Sequence, residues 1–107
     1  MRNMGQRLAD AGYLVLLPDL YYRMEDNPPT PAQVRADPPQ RERMMQFVGS
    51  LNRTRKISDA RAFIEFLSSR PDVRGTRFGV TGYCMGGNIA LTAAGAFPDG
   101  FAVTASF

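Results

Sequence analysis

The chain has 107 residues, 44% hydrophobic and 21% charged, and 13 Lys and Arg against 10 Asp and Glu leave a formal net charge of +3. That length gives about one small core, and the balance is that of an ordinary globular α/β chain. No apolar run nears the roughly 20 residues of a membrane span, the opening Met1-Arg2-Asn3-Met4-Gly5 lacks the apolar stretch of a signal peptide, and one cysteine forms no internal disulfide; the expectation is a soluble chain in a reducing, cytoplasmic setting.

Residues 2–11 read as a helix with a sparse apolar face (Met4, Leu8, Ala11), ended by Gly12 at a left-handed cap. Tyr13-Leu14-Val15-Leu16-Leu17 follows as an unbroken apolar run closed by Pro18. A run with no polar alternation predicts a strand covered on both faces, as in parallel sheets. A helix followed by such a strand is half of a βαβ unit whose first strand the sequence does not contain, so an internal fragment is expected. From Asp19 to about Gln40 six of the eight prolines crowd in or beside one stretch. Proline lacks the N–H that a helix or ladder uses, so no regular element is expected there. A loop of that length at the carboxyl end of a strand lies where open α/β sheets bind ligands.

Met44, Phe47, Val48 and Leu51 fall at i, i+3, i+4 and i+7 and predict an amphipathic helix over about 40–51. A crossover helix is expected after Ser58 as its N-cap, with Ala60, Phe63, Ile64 and Leu67 on one face and Pro71 beyond its end. Residues 76–81 then predict a strand, Ile89 to Phe97 a helix apolar nearly all round, and Phe101 to Phe107 a third strand. Arg35, Arg41, Arg43, Arg53, Arg55 and Lys56 cluster mid-chain, but Asp37, Glu42 and Asp59 are interspersed and no aromatic residues interleave to stack bases. The stretch reads as a solvated helix surface rather than a nucleic-acid interface.

Between the predicted strand and the apolar helix stands Gly82-Tyr83-Cys84-Met85-Gly86-Gly87. Gly-x-Cys-x-Gly-Gly is the cysteine form of the nucleophile elbow, a sharp turn that lifts a nucleophile above the end of a parallel sheet. Strand and helix approach so closely there that side chains two before and two after the nucleophile are expected to collide, which assigns glycine to positions 82 and 86. A thiol at the first turn of a helix meets N–H groups that favour its thiolate, and the N–H of Met85 is placed to meet a developing oxyanion. A phosphate-binding turn at Gly86-Gly87 lacks both Gly-x-Gly-x-x-Gly and Walker-type spacing. The usual acyl-transfer base is absent: the chain has no histidine.

These residues resemble the dienelactone hydrolases of the α/β-hydrolase superfamily. The resemblance runs from Ala11-Gly12-Tyr13 through Pro18-Asp19-Leu20-Tyr21 and Gly82-Tyr83-Cys84-Met85-Gly86-Gly87 to Phe97-Pro98-Asp99 and Ala105-Ser106-Phe107. It implies a three-layer α/β/α domain with a parallel sheet, here a single partial domain over residues 1–107 with about three strands. It further implies that Cys84 is the catalytic thiol, that Met85 supplies an oxyanion-hole N–H, and that Arg23 holds a substrate carboxylate, a task suited to its paired donors. The substrate implied is a small ester or lactone bearing a carboxylate, with no metal or organic cofactor, no nucleic acid and no membrane. The acid and histidine of the family fall outside the resembling residues, so this chain alone is expected to be inactive. A catalytically dead remnant or a binding protein on the same scaffold is the alternative.

Overall fold

The computed structural model describes residues 2–107. In chain order they form α1 (Arg2–Asp10), α2 (Pro31–Ala36), α3 (Pro38–Ser50), α4 (Arg53–Ser69), β1 (Phe78–Gly82), α5 (Met85–Ala96) and β2 (Phe101–Ser106). They fall into two compact units, residues 18–52 and the remainder.

In the larger unit α1 ends as its sequence predicts. Gly12 takes φ +95, its N–H donates to Ala9 O at 2.9 Å, and the Tyr13 N–H donates to Leu8 O at 3.2 Å, the paired bonds of a Schellman closure. β1 and β2 then form a parallel pair, with Val80 opposite Thr104 and Gly82 opposite Ser106, after a shift in register between Phe78 and Gly79. α5 connects them and packs on both, and α4 packs beside α5. Ala60 of α4 and Ala90 and Ala93 of α5 are buried, small residues that leave little between neighbouring backbones. On the sheet face away from α5, Gly79, Thr81 and Val103 are exposed.

The mixed α/β class and the parallel sheet are those expected, but the described strands are two and not three. Tyr13 to Leu17 do not join the sheet, and Tyr13, Leu14 and Leu17 are exposed. An apolar run supplies a face, whereas a strand also needs a neighbour's N–H and C=O groups. β1 and β2 are each other's neighbours, while Leu14, Val15 and Leu16 line an open hollow of about 260 Å³ with Phe66 and Arg70. The start of α4 is a second correction. Ser58 lies inside the helix, which begins at Arg53 after Asn52, a residue type favoured at helix caps. The polar turn Arg53-Thr54-Arg55-Lys56 carries no apolar period by which to recognise it.

Within residues 18–52, the expectation of no regular element from Asp19 to about Gln40 is overturned. α2 forms there with Pro31 at its start and a capping box: the Thr30 side chain accepts from the Gln33 N–H at 3.3 Å, and the Gln33 side chain accepts from the Thr30 N–H at 2.8 Å. Proline breaks helix interiors, but in a first turn its missing N–H has no partner to lose. Pro38 and Pro39 open α3 in the same way, two residues ahead of the predicted start. The predicted apolar face of α3 holds: Phe47 and Leu51 are buried, and Tyr21 meets the Phe47 ring edge-on at 5.2 Å.

Candidate active site

The elbow is built where β1 ends. Cys84 has φ 55 and ψ −118 and is the described non-glycine residue with positive φ. A side chain at such angles crowds its own backbone, at a cost of about 1–3 kcal/mol, so the surroundings must enforce it. They do so from both sides. The Gly86 N–H donates to Tyr83 O at 2.9 Å and the Gly87 N–H to Cys84 O at 3.0 Å, which winds the chain directly into α5. From the sheet side, the Cys84 N–H donates to the main-chain oxygen of Phe107 at 2.6 Å, and the Phe107 N–H donates to Gly82 O at 3.0 Å. The end of β2 thus clasps the turn across Gly82 and Cys84.

The glycines divide differently from the expectation. A β-carbon at Gly82 would fall inside contact distance of the Gly86 carbonyl and 2.7 Å from Gly87 N, all main-chain atoms. At Gly86 a β-carbon would meet nothing within 4 Å. The second close approach lies at Gly87, where a β-carbon would run into Ser106 Oγ and come within 3.3 Å of Gly82 O. It is the backbone of Gly86, not room for its side chain, that presses on Gly82.

Cys84 is exposed, and its thiol makes no capping bond to the helix it precedes. Met85 is the first residue of α5 and half-buried. Cys84, Met85, Gly82, Gly86 and Gly87 therefore come together in one turn. Arg23 belongs to the other unit, residues 18–52. Its guanidinium lies 4.4 Å over the Tyr22 ring and lines an open hollow of about 330 Å³ with Glu25, Asp26, Arg43 and Phe47. Arg43 is held there by Asp26 at 3.3 Å and Asn27 O at 3.1 Å. Burial raises the Tyr21 hydroxyl above the ordinary tyrosine range.

Three neighbours of the turn escaped the sequence reading. Phe107 stacks on Tyr83, with centroids 5.0 Å apart and planes 16° from parallel. Ser106 faces Gly87. Lys56 Nζ on α4 donates to Asn88 Oδ1 in the first turn of α5 at 2.7 Å. All three depend on pairings between distant segments. Among the described residues no three His, Cys, Asp or Glu side chains converge to hold a metal, and no helix is long and apolar enough to cross a membrane.

A strained cysteine between a parallel strand and a helix is the strand–elbow–helix unit of the α/β-hydrolase fold. The Dienelactone hydrolase family profile matches residues 1–107, and the chain belongs to that family. It is 33% identical over 100 residues to carboxymethylenebutenolidase of Pseudomonas putida, covering 92% of this chain and 41% of that protein. Similarity extends to carboxymethylenebutenolidase 1 of Cupriavidus pinatubonensis, 31% over 94 residues, covering 88% and 38%. A Bradyrhizobium protein named "Probable 2-oxo-3-(5-oxofuran-2-ylidene)propanoate lactonase" is 32% identical over 94 residues, covering 88% and 34%. The chain thus spans about a third to two fifths of the length of these curated relatives. No solved structure matches it.

Proposed function

We propose that this chain carries the nucleophile of a small-molecule ester or lactone hydrolase, and that Cys84 is that nucleophile. The observation that carries the reading is the backbone of Cys84, held at φ 55 by bonds on both sides. Strain of this kind persists where a reactive group must be presented, and an exposed thiol at a helix start is suited to attack. The names of the relatives, two carboxymethylenebutenolidases and a lactonase, supply the substrate class.

In the proposed reaction the Cys84 thiolate adds to the carbonyl carbon of the substrate and the carbonyl electrons move onto oxygen. The Met85 N–H, at the start of α5, is one donor to that oxyanion. Collapse breaks the ester C–O bond, the leaving oxygen takes a proton from water, and an acyl thioester remains on Cys84. Water then cleaves the thioester, a step that needs a general base. The chain has no histidine, so acylation without sustained turnover is expected of it alone. Arg23 keeps the role that the family resemblance implies, pairing its guanidinium with a substrate carboxylate. The site uses no metal or organic cofactor in this scheme, and the setting is cytoplasmic.

The test is to incubate the chain with p-nitrophenyl acetate and follow both nitrophenol release and protein mass. One acetyl group on Cys84, with release that stops near one equivalent and is lost in Cys84→Ala, is the expected result. Failure to acylate Cys84, or undiminished release from Cys84→Ala, overturns the assignment and favours a binding protein on the same scaffold.

A further inference from the structure

We propose that Arg43 is a positioning residue for Arg23: from α3 it fixes the far end of the turn that presents the Arg23 guanidinium. The inference rests on the reading of Arg23 as the partner of a substrate carboxylate. Arg23 occupies a tight turn in which the Met24 N–H donates to Tyr21 O at 2.8 Å, so Tyr22 and Arg23 take its two central positions. At its start the Tyr21 N–H donates to Asp19 Oδ1 at 2.9 Å, a local bond that shapes the turn and ties it to nothing outside. A long side chain delivers its charge to one place only when the backbone beneath it is itself held.

α3 holds this backbone at two points. Ahead of Arg23, the Tyr21 ring meets the Phe47 ring edge-on at 5.2 Å, and Phe47 is 2% exposed. Behind it, Arg43 Nη2 donates to Asn27 O at 3.1 Å and lies 3.3 Å from Asp26 Oδ2. Arg43 and Phe47 stand at i and i+4 of α3 and so share a face, with the Arg43 guanidinium 5.7 Å from the centroid of the Phe47 ring. One helix face therefore grips residue 21 and residues 26–27, the chain on either side of Arg23. Arg43 lines the same open hollow as Arg23, but it is occupied by Asp26 and by the main chain at Asn27, which makes it the support of the turn rather than a second seat for the substrate. The side chains of Arg43 and Asp26 are 37% and 79% exposed, so replacing either removes the second anchor without opening the packing around Phe47.

The test follows acylation of the chain by mono-p-nitrophenyl succinate, which carries a carboxylate, and by p-nitrophenyl butyrate, a neutral ester of equal length. The wild-type chain is expected to prefer the anionic ester, and Arg23→Gln to lose that preference. Arg43→Met is expected to cut the preference by about two- to fivefold, the range an exposed charge pair supplies, with the butyrate rate unchanged. Asp26→Asn leaves Arg43 in place and should cut the preference likewise, and the double variant should go no further. Deuterium uptake at the Met24 amide should rise by a similar factor in both single variants, a readout that needs no turnover. A preference raised by Asp26→Asn would make Arg43 a direct binder and overturn the proposal. So would wild-type preference in Arg43→Met, equal slowing of both esters, or unchanged Met24 exchange. If the wild type shows no preference, or Arg23→Gln keeps it, it is the Arg23 reading that fails.

Discussion

Replacing Gly82 by alanine separates the two glycines that flank Cys84 at equal spacing. The new β-carbon would overlap the Gly86 carbonyl and lie 2.7 Å from Gly87 N. None of these atoms belongs to a side chain that can rotate away, so β1 and α5 must part or the strain at Cys84 must be released. Inserting a methyl group into a packed site costs about 1–3 kcal/mol, and main-chain obstruction places Gly82→Ala near 3. For a chain of this size, with a urea slope of about 1 kcal/mol per molar, the midpoint should fall by about 3 M or the transition disappear. Gly86→Ala makes the opposite case: a β-carbon there meets nothing within 4 Å, φ is not positive, and the position is helical. Alanine in place of a helical glycine should stabilise by a few tenths to about 1 kcal/mol. Urea titration followed by far-UV circular dichroism measures both. A Gly82→Ala midpoint within error of wild type, or Gly86→Ala as damaging as Gly82→Ala, would refute the packing account of the elbow.

Gly87→Ala should cost about 1–2 kcal/mol through Ser106 Oγ, and adding Ser106→Ala should recover at least half of it; additive losses in a double-mutant cycle would deny the contact. Cys84→Gly should raise stability by about 1 kcal/mol, since relief of a positive φ outweighs the added freedom of glycine in the unfolded chain, while abolishing acylation; a drop in melting temperature would contradict the strain. Tyr21 sets an alkaline limit. Its hydroxyl titrates above the ordinary value in the folded chain, so the folded state holds its proton more tightly than the unfolded state. Stability from this group is intact below about pH 10 and falls as pH rises past it. Tyr21→Phe should flatten that fall in melting temperature between neutral and strongly alkaline pH, and an unchanged slope would show that Tyr21 is not its source.

The elbow was legible because its requirements are local: two small residues around one cysteine, a strand before and an apolar helix after. Cys84, Met85 and the following glycines fall where that pattern puts them. The differences lie where one feature acts only together with its partner. Proline density predicts broken structure, but Pro31 and Pro38 sit in the first turns of helices, where proline fits. The apolar character of Tyr13 to Leu17 predicts a strand but names no pairing partner, and the described sheet holds β1 and β2 alone. The clasp from Phe107 and the approach of Ser106 to Gly87 depend on the register of β2 against β1, which no short pattern encodes.

That register also orders events in time. The acceptor for the Cys84 N–H lies beyond the whole of α5 in sequence, so the turn cannot be completed by its own segment, and closing it waits on a non-local pairing. As the chain leaves the ribosome, Cys84 emerges as an ordinary cysteine on a flexible glycine-rich link and acquires its unusual backbone only when β2 docks beside β1. The positive φ of residue 84 is then a late product of folding, set when the two strands pair.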